Sequence, residues 1–202
     1  MEKVLVTGGI GSGKTVVCRT LESLGVPVYY SDRRAKAIYD LRPDIVDTLE
    51  ASWGIPLRDS ASKVDLKAIA AAIFSDREKL LLVESLVHPA VARDFSDWAE
   101  ARRESAPFVV MESAIALSKP GFGDLFSKVV LVVNPDLERR MSMIMERDGA
   151  AQEDIATRMD SQESVPAGKA DYIIVNDSTL ENLRLLAGRL FNSLQEDIAG
   201  GV

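Results

Sequence analysis

Five short apolar runs punctuate the chain, at residues 4–7, 26–30, 108–113, 128–133 and 172–175, each bounded by turn or polar residues and followed by a longer stretch of helical periodicity. The runs are rich in Val and Ile and do not alternate with polar residues. Strands of that kind are buried on both faces, with the intervening helices as crossovers, so the pattern predicts an α/β fold: a five-stranded parallel sheet with helices on both faces. The spacing is uneven, because 77 residues, 31 to 107, separate the second run from the third. That is too much for one crossover. Helical patterning covers 33–51, 65–74, 76–87 and 89–105 within this stretch, which predicts a helical insert that receives the acceptor substrate. A second polar stretch, about 136–165, carries Arg139, Arg140, Arg147 and Arg158 on helical segments broken near Asp148-Gly149, the pattern of a lid.

Composition narrows this picture without adding chemistry. A chain of 202 residues, 47% hydrophobic and 27% charged, suits one domain with a substantial core and excludes a disordered, collagen-like or coiled-coil chain. No apolar run approaches the roughly 18 residues that span a bilayer, and the opening residues meet glycines too soon for a signal peptide, so a cytoplasmic protein with no membrane partner is expected. One cysteine, Cys18, makes no internal disulfide, and one histidine builds no ordinary zinc site. The net charge of −7 argues against a nonspecific grip on nucleic acid. Oligomeric state is not readable.

The chemistry begins after the first run. Gly8-Gly9-Ile10-Gly11-Ser12-Gly13-Lys14-Thr15 matches G-x-x-x-x-G-K-[ST] with a strand before and a helix after, the P-loop signature. Its glycines let successive N–H groups converge on phosphate oxygens, the helix start adds its positive dipole end, Lys14 reaches the β and γ phosphates, and Thr15 offers a hydroxyl to Mg²⁺. The predicted core is therefore P-loop nucleoside triphosphate hydrolase-like. Gly9, Gly11, Ser12, Gly13, Lys14, Thr15 and Val16 form its nucleotide-binding set, with ATP and Mg²⁺ as the expected small partners. A glycine-rich turn serving only strand-to-helix packing is the alternative that this spacing and context outweigh. Cys18 reads as a small buried hydrophobe.

Ligands of parallel α/β sheets sit beyond the carboxyl ends of the strands. Two acids lie there. Asp32 follows the second run and leads into the helical insert, which suits a carboxylate that takes or orients an acceptor hydroxyl's proton and helps hold Mg²⁺; its alternative is an N-cap for the next helix. Glu112 closes the third run like a Walker B acid, could likewise hold Mg²⁺ or its waters, and is read equally as site or structure. His88-Pro89 reads as a junction between two helices, with His88 at the cap and Pro89 in the first turn. Arg147 is the lid arginine chosen to meet charge on the transferred phosphoryl group, whereas Arg139 and Arg140 are expected to pair with nearby acids.

With these residues in place the chain resembles the dephospho-CoA kinase family. The resemblance spans nearly the whole sequence. It rests on Thr7 to Lys14, on Leu24-Gly25-Val26-Pro27-Val28 leading to Asp32 and Ala35-Lys36, on Val87-His88-Pro89-Ala90-Val91, on Arg147-Asp148, on Arg158-Met159 with Gln162, and on Ala170-Asp171-Tyr172-Ile173-Ile174-Val175-Asn176. It implies ATP-dependent phosphorylation of the ribose 3′-hydroxyl of dephospho-CoA, the last step of coenzyme A synthesis. Carried over, Lys14 and Thr15 serve ATP and Mg²⁺, Asp32 is the acid at the 3′-hydroxyl, His88 and Glu112 lie on the acceptor side, Arg147 reaches the phosphates and Asn176 lies near the adenine. Two positions depart from the family pattern: Tyr30 stands where many members carry the first acid of Asp-x-Asp, and Ser118 replaces an acid after the third strand. Another P-loop small-molecule or nucleotide kinase is the competing reading, and a non-catalytic nucleotide switch a distant third, since Val175-Asn176-Asp177-Ser178 is no match to a guanine-reading Asn-Lys-x-Asp.

Overall fold

The structure is a computed structural model of the chain, and it describes residues 1–74, 76–119, 121–149, 151–160, 165 and 167–200. These form two compact units, one of residues 1–30 together with 97 onward, the other Ser31–Ser96. The first holds all five strands, β1 (Glu2–Thr7), β2 (Val28–Tyr30), β3 (Phe108–Glu112), β4 (Lys128–Val133) and β5 (Tyr172–Val175). Every pairing is parallel, in the order β2-β3-β1-β4-β5. The predicted runs thus become strands with their ends shifted by no more than two residues.

Alternation along each strand divides the apolar side chains between two covered faces. On one, Val4, Val6, Val110, Val130, Val132 and Ile174 pack with Val17, Cys18 and Leu21 of α1 (Lys14–Ser23) and with Leu183, Ala187, Leu190 and Leu194 of α8 (Leu180–Gly200). On the other, Leu5, Tyr29, Met111 and Leu131 are buried, and Trp98 meets the Tyr29 ring edge-on at 5.4 Å. Because β2 and β3 lie on one side of β1 and β4 and β5 on the other, the carboxyl ends of β1 and β3 flank the point where the order reverses, which is where such sheets bind ligands.

The helical unit contains α2 (Ser31–Leu41), α3 (Pro43–Trp53), α4 (Leu66–Phe74) and most of α5 (Arg77–Glu100). Two expectations fail here. The helix expected over 33–51 is broken, because Pro43 has no N–H to donate and drives Arg42 out of helical geometry, to φ −131° and ψ 73°. The junction expected at His88-Pro89 does not exist: α5 runs unbroken through Pro89. Pro89 and Ser85 are exposed, while Val83, Val87, Ala90 and Val91 are buried on either side. The helix continues despite an interior proline that costs about 3 kcal/mol. Asp65 and Asp76 cap α4 and α5, each accepting two backbone N–H bonds at 2.9–3.1 Å. The Arg34 guanidinium grips the Asp94 carboxylate at 2.9 and 2.5 Å, tying α2 to α5.

After β4 come α6 (Leu137–Asp148) and α7 (Gln152–Asp160). Asp136 caps α6 by accepting from the Arg139 N–H at 2.9 Å, and Gly149 closes it in the left-handed conformation. The break read at Asp148-Gly149 is therefore a helix terminus. No described helix is long and apolar enough to cross a membrane.

Candidate active site

Residues 8–13 turn β1 into α1, and the backbone does most of the work. Gly13, at φ 104°, occupies the N-cap position of α1, so the helix begins at Lys14 with its positive end at the loop. A Cβ on Gly13 would stand 2.8 Å from Asn176 Nδ2 and 2.9 Å from Leu183 Cδ2, so close packing and backbone angle both demand glycine. Ser12 N–H closes the turn on the Gly9 carbonyl at 3.1 Å, and the Val16 N–H is taken by the Gly13 carbonyl at 3.0 Å. The N–H groups of Gly11 and Gly13, by contrast, make no hydrogen bond among the described residues. Lys14 Nζ folds back over the loop and donates to the carbonyls of Gly8 and Gly9 at 2.8 and 3.0 Å.

The carboxylate beside this loop is Glu112. It ends β3, and its Oε1 accepts the Thr15 hydroxyl at 2.9 Å. Glu112 therefore belongs to the phosphate-loop side of the site, held against the residue expected to meet Mg²⁺. Tyr30 pairs with Glu112 across the strands, yet its ring packs against the core and its hydroxyl donates to Glu22 Oε2 at 3.1 Å. Burial first, then the Glu22 carboxylate, push this phenol well above its ordinary range. Tyr30 is thus a packing residue. Cys18, buried on the same face, has its thiol pushed up by burial and then by the Glu112 charge, which leaves it inert. Around the loop, the buried atoms Thr7 Oγ1, Ser12 Oγ and Asn134 Nδ2 have no protein partner among the described residues, so this floor carries hydrogen-bonding capacity that the chain does not itself consume.

Two later elements also reach the loop. Asn176, buried just past β5, donates from Nδ2 to the Ser12 carbonyl at 3.0 Å. Arg140, on α6, donates from both Nε and a terminal nitrogen to the Ile10 carbonyl, at 3.1 and 2.9 Å. The expectation that Arg140 pairs with a nearby acid fails: no carboxylate partners it among the described residues, and burial lowers its pKa. Sequence reasoning passed over Arg140 because its neighbours Glu138 and Glu146 make it look like an ordinary surface charge. The overlooked signal was Ile144, four residues on and buried, which marks that helix face as inward.

In the helical unit Asp32 is exposed in the first turn of α2, which starts at Ser31, so it is not the N-cap. His88 is half-buried in the middle of α5. Arg147 lies in the last turn of α6, with its side chain outside the described residues, as are the side chain of Arg158 and all of Gln162. Ser118 sits in a short 3₁₀ turn and donates to the Ile115 carbonyl at 2.9 Å.

The dephospho-CoA kinase family, compared as a whole, matches residues 3–182. The chain belongs to that family. Dephospho-CoA kinase of Chlorobaculum tepidum is 35% identical over 196 residues, covering 94% of this chain and 93% of the relative. Dephospho-CoA kinase of Porphyromonas gingivalis is 39% identical over 175 residues, with 85% and 84% covered. Among solved structures, a protein from Thermus thermophilus is 31% identical and superposes with a TM-score of 0.75 over 94% of this chain and 96% of its own. The family relationship covers the phosphate loop, both acids, His88 and Asn176 in one continuous match.

Proposed function

We propose that this chain transfers the γ-phosphoryl group of ATP to the ribose 3′-hydroxyl of dephospho-CoA, giving coenzyme A and ADP. The observation that carries the reading is the phosphate loop on its reversed sheet position, with Lys14, Thr15 and Glu112 gathered at it, in a chain of this family. The 3′-oxygen bonds to the γ-phosphorus, the bond from that phosphorus to the bridging oxygen of ADP breaks, and the hydroxyl proton leaves to a base. Asp32 is the residue we assign to that proton, and its exposed position at the start of α2 leaves the carboxylate accessible. His88 is assigned to the acceptor in the helical unit, and Arg147 to the phosphates from a lid formed by α6 and α7.

Mg²⁺ fits the residues present. A hydroxyl and a carboxylate 2.9 Å apart, Thr15 and Glu112, are the oxygen donors a hard cation takes. No group of three or more His, Cys, Asp or Glu that could hold a metal occurs among the described residues, so the ion would share its coordination with nucleotide oxygens and water, as Mg²⁺ does in kinases. Bound there it would neutralise charge on the phosphates.

The test is ADP release over a panel of acceptors, with the product's mass showing which one gained phosphate. Dephospho-CoA should be phosphorylated far better than adenosine, shikimate or gluconate. Comparable turnover with a sugar or nucleoside would replace this acceptor with another.

A further inference from the structure

The phosphate loop is pinned by side chains from outside it. In a trans peptide the C=O of one residue and the N–H of the next point in opposite directions, so fixing a carbonyl also aims the following N–H. Two peptide planes of the loop are fixed in this way. The Ile10 carbonyl is held by the Arg140 fork, which turns the Gly11 N–H the other way, and the Ser12 carbonyl is held by Asn176 Nδ2, which turns the Gly13 N–H the other way. Neither of these N–H groups makes a hydrogen bond among the described residues, and the Gly8 and Gly9 N–H groups make none either. Each pinned plane is followed by a glycine at positive φ, 74° for Gly11 and 104° for Gly13. Glycine adopts either sign of φ at little cost, so nothing local prevents these planes from rotating and turning their N–H groups away.

We propose that Arg140 and Asn176 are positioning residues that lock the Ile10–Gly11 and Ser12–Gly13 peptide planes, keeping two N–H donors aimed at the polyphosphate before it arrives. The proposal rests on the reading of this loop as the nucleotide site. It differs from the expectation that Asn176 serves the adenine, and it gives the neutral Asn176 an effect on phosphate affinity without any contact to phosphate. It also separates two kinds of pin. Lys14 holds the Gly8 and Gly9 carbonyls from within the loop and gives them up when it turns to the phosphates. Arg140 and Asn176 approach from α6 and from beyond β5, and can hold their carbonyls whether or not nucleotide is bound. Preorganised donors of this kind need no rearrangement at the moment of binding or reaction.

The test uses the whole 202-residue chain, with tripolyphosphate, ATP and ADP titrated by calorimetry and hydrogen exchange followed on the loop peptide without ligand. Asn176→Ala should weaken tripolyphosphate and ADP by the same factor, about tenfold, and speed exchange of the loop amides. Asn176→Asp, which keeps the shape but puts an acceptor where the donor was, should weaken both at least as much. A role in packing alone predicts instead that Asp is tolerated better than Ala. Arg140→Met should weaken both ligands by a similar factor and also speed loop exchange. The proposal is overturned if Asn176→Ala binds tripolyphosphate like the wild type, if its loss is confined to ADP, or if affinity falls while loop exchange is unchanged. For Arg140, a loss seen with tripolyphosphate and ATP but not with ADP would mark a direct γ-phosphate contact and overturn the positioning role. Failure of the wild type to bind tripolyphosphate at all would defeat the nucleotide-site reading itself, and is told apart by requiring no variant.

Discussion

In the sheet unit the polar groups of the site are held several times over: Lys14 on two carbonyls, Thr15 on Glu112, Ser12 and Ile10 on side chains more than a hundred residues away. In the helical unit the assigned residues stand differently, Asp32 exposed on the first turn of α2 and His88 half-buried midway along α5. The first arrangement suits a ligand common to many proteins, bound largely by backbone N–H groups whose direction matters more than their identity. On the proposed assignment, the second leaves recognition of the acceptor to single side chains carried on helices, whose placement follows from how those helices pack. A fault in the first region is expected to abolish nucleotide binding, and a fault in the second to spare it.

The strongest way to sharpen that contrast is Lys14→Ala. Turnover should fall at least about a thousandfold, because a charge-assisted donor aimed at the developing phosphoryl charge is removed. ATP binding should weaken with it, while thermal melting stays near the wild type, since Lys14 is only half-buried and contributes no core packing. Steady-state kinetics beside a melting curve checks both.

Asp32→Asn should lower kcat about a hundredfold, the low end for a positioned acid-base group because a loose phosphoryl-transfer transition state needs little early proton removal. ATP affinity by calorimetry should be unchanged. An active variant would remove Asp32 from the reaction and break the contrast between the two units at its acceptor side.

Glu112→Gln keeps an acceptor for the Thr15 hydroxyl but loses the charge. The Mg²⁺ concentration for half-maximal activity should rise about tenfold, with saturating Mg²⁺ restoring most of the rate. An unchanged Mg²⁺ dependence would return Glu112 to a structural role. The smallest effect expected is that of Asp136→Ala, which removes the cap of α6: about 1 kcal/mol, or roughly 2–4 °C in Tm for a chain of this size, read by thermal melting.

Much of this was legible along the chain. The strands were, because runs buried on both faces need no alternation and stand out against amphipathic helices. So were Lys14 and Thr15, since a phosphate loop is a contiguous device whose spacing is set by backbone geometry. The two failures in the helices have a shared cause. Pro43 interrupts its helix and Pro89 does not, although both are flanked by buried apolar residues, Ile38, Tyr39, Ile45 and Val46 at the first and Val83, Val87, Ala90 and Val91 at the second. A proline in the sequence shows where an intrahelical hydrogen bond is lost, not whether the helix continues past it.

The sequence by itself determined the sheet, the loop and the acids at strand ends, because each depends on residues close together in the chain and on rules of local backbone geometry. Only the tertiary structure decided which groups meet: that Glu112 holds Thr15, that Tyr30 packs against the core and donates to Glu22, and that Arg140 and Asn176 take the Ile10 and Ser12 carbonyls. Those pairs are 8 to 164 residues apart. The reason is physical: a hydrogen bond is made or lost within a few tenths of an ångström, and that precision comes from the packing of whole elements, which no local pattern of residues encodes.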